Sequence, residues 1–407
     1  MSIVESAPER DVSPFARFPF PRPDVLQQSP ELARLRRECP VAHVEVPSGA
    51  RMVLLTEYED VQTLLGSSSA SLAAAARPGA PSFIPFTALC EGLLSLDAPQ
   101  HTAARRMLTQ CLTPAVAADQ QRRIEQLARH AVAGMLAAGP PADFVATVAD
   151  PLSVGSMAAL LDVDPDQLDD LRRRFGTLIA IDGTGADDPV PVWRGLEAAV
   201  LDLVGSHSGE GNDLLSAMVR HQHEHAAEVT PAQLVGVLVT LIGAGIGTPI
   251  IELAHGVAVL LRHPEQWQDL CAHPRLVRNA VEEILRFCTP VEVDHVRVLT
   301  GAVELASTTL AEGTAVLTSI AAANRDEGRF PDPDRFDIRR QTLGHLAFGR
   351  GPHACAGSAV ARNQLRAVLQ TLCEQAPTLR LVDPDEPLTL HSRRSHSLSL
   401  AELRLAW

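Results

Sequence analysis

The chain has 407 residues, 46% of them hydrophobic, and a formal charge of −14, which allows a large buried core. That acidic balance, with only 4% aromatic residues, offers neither a phosphate-neutralising surface nor base-stacking platforms, and excludes nucleic acid as the expected partner. The opening MSIVESAPERDVSPFARFPFPRPDV has no apolar run long enough for a signal peptide or a membrane span, so the expectation is a soluble, cytoplasmic protein with no membrane partner.

In chain order, residues 1–30 read as an irregular N-terminal segment, and the runs AHVEV and RMVLLT as short strands. Glycine, proline and small polar residues dominate Gly66 to Phe83 and Asp182 to Val192, which predicts irregular or mobile stretches. From Asp119 to Gly139, Ile124, Leu127, Val132 and Leu136 recur at helical spacing until a glycine and two prolines end the pattern. Further helices are predicted over Pro165 to Phe175, Val192 to Val204, Pro231 to Leu261, Pro274 to Phe287 and Ala356 to Gln375. HVRVL, TAVLTSI and the terminal LSLAELRLAW complete a minor strand content. The expected fold is mainly α, a single domain over 1–407 with a small β-rich region.

Seven cysteines (Cys39, Cys90, Cys111, Cys271, Cys288, Cys355 and Cys373) are scattered without CxxC pairs, and every basic residue is arginine. This usage fits free thiols in a reducing compartment. His221, His223 and His225 stand in RHQHEHAAE, but alternate residues do not share a helical face, so a solvated surface is expected there and no second metal.

The central run LVTLIGAGIGTPIIE resembles a nucleotide-binding turn at first sight. A GxGxxG fingerprint would need glycine or alanine where Thr248 stands, and repeating parallel strands are missing. Read as helix, the run has another use. The Thr248 hydroxyl can bond the carbonyl of Ala244, four residues back, while Pro249 brings no N–H to the carbonyl of Gly245. Both effects open the backbone ladder and predict a groove.

Near the C-terminus, LAFGRGPHACAGSAVARNQLRAVLQ sets Cys355 beside a helix start, where free N–H groups and the helix dipole favour a thiolate. Its Phe348, Gly349, Gly351, His353, Cys355 and Gly357 form F-G-x-G-x-H-x-C-x-G. This pattern resembles the haem-binding loop of the cytochrome P450 superfamily. The resemblance runs from about Pro40 to the terminal tryptophan, with the motifs in family order.

The resemblance implies a cytochrome P450 fold with a long central helix over haem b, and Cys355 as the thiolate metal ligand. It implies His101 and Arg105 (in LDAPQHTAARR), Arg297 and His353 as propionate partners, with Phe348, Gly349 and Gly357 shaping the loop. In VEEILRF, Glu283 and Arg286 match the structural Glu-x-x-Arg pair, and Arg335 in FPDPDRF is expected as its third member. Ala244, Gly245, Gly247 and Thr248 align with the dioxygen site, where the family's usual acid is replaced by Gly247.

Without that acid, proton supply falls to Thr248 with water, to a polar group of the substrate, or to a changed chemistry. The resemblance therefore implies first a monooxygenase acting on a mainly apolar natural-product intermediate, free or tethered to a carrier protein. Its alternatives are oxidation without oxygen insertion (coupling, desaturation or peroxide-driven turnover) and, more remotely, a haem gas sensor. The expected pocket includes Val239, Ile242, Gly243, Val291, Val293 and Ser395; Glu292 and Asp294 beside it would either meet a basic or hydroxylated substrate or, the preferred reading, point away. Electrons are expected from a separate ferredoxin and its reductase, docking on a patch drawn from Arg105, Arg106, Arg350, Arg362 and Arg366.

Overall fold

A computed structural model describes residues 15–83, 91–180, 188–207, 209–388, 390–392 and 398–407. The N-terminal part holds α1 (Pro30–Glu38), α2 (Tyr58–Gly66), the one-turn α3 (Leu72–Ala75) and α4 (Gln100–Cys111). Then come α5 (Pro114–Ala138), α6 (Asp150–Leu161), α7 (Pro165–Ile179), α8 (Pro189–Gly205), α9 (Leu214–Glu224) and α10 (Pro231–Leu261). The C-terminal part adds α11 (Pro264–Ala272), α12 (Val277–Cys288), α13 (Ile320–Ala323) and α14 (Ser358–Gln375).

A six-stranded sheet stands to one side, ordered 16–17, 41–45, 51–55, 315–318, 297–299, 70–71. Its centre is mixed: Arg51–Leu55 runs antiparallel to Val41–Glu45 and parallel to Ala315–Thr318, with Val53 opposite Val316. Strand Arg297–Leu299 then lies against Ala315–Thr318, which fixes where Arg297 enters the molecule.

Helix α10 organises the rest. Thr230 accepts the N–H of Gln233 while the Gln233 side chain accepts the N–H of Thr230, and Pro231 supplies a preset first turn. The helix is long and apolar enough to cross a membrane, yet 67% of that window is buried inside the protein, which is how a core helix is built. Its N-terminal half, through Ile246, packs into one apolar core with α6 to α9. From Leu253 onward it packs into a second core with α5, α11, α12 and α14. The seam between the cores falls on residues 247–252, where the glycine run ends at Thr248 and Pro249.

Two expectations for irregular segments need correction. Between Gly66 and Phe83 the chain forms strand Ala70–Ser71 and α3, because its alanines pack together with larger apolar residues: Ala70, Leu72, Ala74, Ala75 and Phe83 are buried and Ser71 caps α3 through Ala74. Residues 181–187 lie outside the described part, and α8 already begins at Pro189, capped by the Asp188 side chain on the Val190 N–H. At the C-terminal end of α9 the rings of His221 and the capping residue His225 stack at 4.2 Å, His223 is exposed, and no group of metal-ligating side chains occurs among the described residues.

Candidate active site

The cysteine loop is closed by its own backbone. Gly349 N–H donates to Leu346 O (2.8 Å), Ala354 N–H to Gly351 O (3.1 Å) and Cys355 N–H to Phe348 O (2.8 Å). Gly349 and Gly351 have φ of +65° and +75°, a region costly for other residues. A Cβ on Gly351 would also come within 2.5 Å of the Leu65 carbonyl oxygen, so α2 and the loop touch through backbone.

Gly357 caps α14, and its N–H bonds the Cys355 sulfur. The Cys355 residue is exposed, so it opens onto a concavity, but the surrounding protein raises its thiol above the ordinary range. The Gly357 N–H and the charges of Arg105 and Arg362 act the other way. A thiol so placed gains from trading its proton for a metal cation.

Polar groups around that concavity lack partners. His101 Nε2 and His353 Nδ1 are buried without a hydrogen bond, and their rings lie 3.9 Å apart. Burial, then Arg105, lowers His101; burial, then His101 and Arg297, depresses His353 to about 4. Arg297 is buried and donates to Asp294 at 2.6 Å. Asp294 on Arg297 and Asp97, 3.9 Å from His353, are the acids near these two imidazoles and the guanidiniums of Arg105 and Arg297; the unpartnered imidazole nitrogens still leave donors that a group bearing two carboxylates beside a thiolate-ligated metal can use. Haem fits these residues.

The loop is held from behind. Glu283 and Arg286, both fully buried, pair in parallel at 2.7 and 2.8 Å. Arg286 also donates to the carbonyls of Asn324 and Pro333 at 2.9 Å, and the Asn324 side-chain oxygen accepts the N–H of Leu346 at 2.7 Å. A direct chain of hydrogen bonds therefore runs from the ion pair to the first residue of the cysteine loop.

The third member differs from the one expected. Arg335 is exposed, and Arg340 meets Glu283 at 3.2 Å. The physical reason is the turn after Arg335, where Asp337 N–H donates to Glu283 Oε1 (3.0 Å) and brings Arg340 inward, while Arg339 stays at the surface on Asp269. A second brace was not foreseen: Glu282 accepts from His345 (3.0 Å) and from Arg362 (2.7 and 3.0 Å). Burial works to raise the Glu282 pKa, but those two partners outweigh it and hold the carboxyl at about 2. The signal for it in sequence was Glu282 beside Glu283, one residue out of helical phase.

On α10 the Thr248 hydroxyl donates to Ala244 O at 2.7 Å, as the sequence implied, and Pro249 sits inside the helix. Ala244 is exposed in the middle of a largely buried helix, and Gly245, Gly247 and Thr248 are half-buried, so this face borders an opening. A Cβ at Gly247 would meet nothing within 4 Å. The other glycines are filled in: a Cβ on Gly243 would lie 2.5 Å from the Phe175 ring, and one on Gly245 would strike the Met157 methyl.

The expected pocket is corrected accordingly. Gly243 backs onto Phe175, and Val239, Ile242 and Val293 are closed into the first core, all at 1% exposure or less. Without accessible surface they cannot touch a ligand in this arrangement. Val291, Asp294 and His295 keep partial exposure, and Ser395 lies outside the described residues. Glu292 is buried on Arg22 at 2.7 Å, and Asp294 is held well below the carboxylate range by Arg297 and His295 despite burial. Neither is free to read a basic substrate.

A mainly helical fold with a cysteine loop, unsatisfied imidazoles and a threonine-opened core helix defines a haem-thiolate oxidase. Comparison with known proteins names the family. Residues 266–375 match the family model for cytochrome P450. The chain is 39% identical over 391 residues to cytochrome P450 141 of Mycobacterium tuberculosis (strain CDC 1551 / Oshkosh), covering 96% of this chain and 98% of that one. It is 33% identical over 396 residues to nocardicin C N-oxygenase of Nocardia uniformis subsp. tsuyamanensis, covering 96% and 98%. The crystal structure of the LnmA cytochrome P450 hydroxylase of Streptomyces atroolivaceus S-140 superimposes with a TM-score of 0.85 at 32% identity, covering 96% and 100%. The chain belongs to the cytochrome P450 family and is a monooxygenase-type oxidoreductase that uses haem and dioxygen.

Proposed function

We propose that the protein inserts one oxygen atom into a mainly apolar small molecule, an intermediate of natural-product biosynthesis, inside the cytoplasm. Bound haem supplies the iron that activates dioxygen, with Cys355 as its thiolate ligand and His101, Arg105, Arg297 and His353 around the propionates. Phe348, Gly349 and Gly357 shape the loop. The observation that carries the insertion reading is the Thr248 hydroxyl on the Ala244 carbonyl at the exposed stretch of α10. A hydroxyl and two loosened carbonyls beside an opening can position dioxygen and water and hold a proton at Thr248 Oγ1. The tailoring roles named for relatives, such as the N-oxygenase and the hydroxylase above, support a secondary-metabolite substrate.

Electrons come from a separate ferredoxin and its reductase. The docking patch is smaller than five arginines, because Arg362 is tied to Glu282 and Arg106 to Glu228 (2.5 Å); Arg350 is exposed and Arg105 half-buried. A second reading, oxidation without oxygen insertion, draws on Gly247, where the space for an acid exists and the acid does not.

Candidate compounds are screened for the spin-state change that follows loss of water from ferric iron, and the best is turned over under labelled dioxygen. One labelled oxygen atom in the product is expected. A product that is oxidised but unlabelled supports the second reading instead.

A further inference from the structure

Glu252 stands on α10 one turn beyond Thr248. It is 3% exposed, and neither carboxylate oxygen has a hydrogen-bond partner. His255, the next residue on that face, is fully buried, and its ring nitrogens have no close partner beyond a weak contact with the Leu398 backbone. Such groups are costly inside a protein, and their neighbours Leu253, Ala254 and Val257 are packed core. A bare carboxyl followed by a barely satisfied imidazole asks for a use.

Their placement supplies one. A residue four positions on lies about 40° round a helix and roughly 6 Å along it. Cα–Cβ bonds tilt toward the helix N-terminus, so the Glu252 side chain leans back toward Thr248 and Pro249. There the carbonyl of Gly245 has no helical donor, because Pro249 lacks an N–H. The seam between the two cores falls across the same residues.

We propose that Glu252 is the acid that feeds protons to the dioxygen groove, by way of the Thr248 hydroxyl, in place of the side chain Gly247 omits. This inference rests on the oxygen chemistry of the family and not on the substrate reading. In each transfer the Glu252 carboxyl loses its proton toward Thr248 Oγ1, which releases its own proton into the groove. The carboxylate is then reprotonated from solvent, with His255 as the relay: its imidazole accepts a proton at one nitrogen and releases one from the other. His255 faces Arg22 and Asp24, which burial and charge couple to it. On the other side Glu252 faces the buried Cys288 thiol, near Arg286, Arg325 and Glu283. Burial pushes the Glu252 pKa up to about 8, so the group holds a transferable proton near neutral pH.

The test needs no substrate. Haem-loaded protein is reduced in air by a surrogate ferredoxin and reductase, and the electrons are partitioned between hydrogen peroxide (two electrons and two protons per dioxygen) and water (four of each). Glu252→Gln and Glu252→Leu are expected to lower the water-to-peroxide ratio by about tenfold, less than the full worth of a positioned acid because water can partly replace it. The exposed Glu265→Gln is the unchanged control.

Two readouts are independent of turnover. Ferric wild type at pH 7 is expected to show the infrared carbonyl stretch of a buried protonated carboxyl, absent from both variants. A folded pKa above the unfolded one also means stability is lost as pH rises from about 4.5 to 8, and Glu252→Gln is expected to abolish that loss. An unchanged ratio in both variants, or no protonated carboxyl in wild type, overturns the proposal.

Discussion

Replacing Arg340 with alanine tests how the cysteine loop is held. The Arg340 side chain donates to Glu283 at 3.2 Å, to the carbonyls of Asp332 and Arg335 at 2.8 Å, and to that of Pro331. It lies at 11% exposure against the 0% of Glu283. Its removal leaves Glu283 with Arg286 and the Asp337 N–H, and leaves three carbonyls to water. Hydrogen bonds to charged groups contribute about 1.5–3 kcal/mol, and breaking a buried pair costs about 3–5 kcal/mol. Water can reach the outer end of Arg340, so a loss of about 3 kcal/mol is expected, roughly 3–4 °C in a melting scan of a chain this long. The exposed Arg335→Ala should stay within about 0.5 kcal/mol. Thermal unfolding of both variants is read together with the fraction that keeps a thiolate-type carbon monoxide spectrum on standing, since the Arg286–Asn324–Leu346 chain ends at the loop. An Arg335→Ala defect equal to or larger than that of Arg340→Ala refutes the assignment.

Four other substitutions probe α10. Gly243→Ala should destabilise by about 1–3 kcal/mol, because its Cβ meets Phe175 at 2.5 Å. Gly247→Asp should fold normally, since nothing lies within 4 Å of the new Cβ, and should raise the share of electrons that reach product; a variant that folds but leaves this share unchanged rejects position 247 as an acid site. Thr248→Ala loses one hydrogen bond, about 1 kcal/mol of stability, and should shift reductant toward peroxide. For pH dependence, burial lowers His255 to about 4, so between about pH 4 and 6.5 the unfolded chain binds more protons and stability falls on acidification. A fully buried group shifted that far accounts for about 3 kcal/mol, and His255→Leu should flatten this limb of the stability curve.

Local geometry was legible in the sequence and distant pairing was not. The Thr248–Ala244 bond follows from helix periodicity, and α10 matches its expected limits of Pro231 and Leu261 because a capping box and a proline mark its start. The Cys355 loop was readable from the spacing of its glycines. Arg340 was missed because arginines at 335, 339 and 340 are equivalent in composition, and only the turn at Asp337 decides which faces Glu283. Asn324 and Glu282 act through partners 22 to 80 residues away, a separation that no local pattern carries. Val239, Ile242, Gly243 and Val293 were read as facing the pocket but are closed into the core, and which side of Gly243 and Gly245 is filled is decided by Phe175 and Met157 from other helices. Helix α6 was not anticipated because it is buried on several faces and shows little amphipathic contrast.

The central claim is a haem held through the Cys355 thiolate, and the carbon monoxide spectrum of the reduced protein tests it most directly. Wild type is expected to give the strongly red-shifted Soret band of thiolate ligation, and Cys355→His, with haem still bound, the band of an imidazole-ligated haem. A Cys355→His protein that keeps the thiolate band would contradict the account.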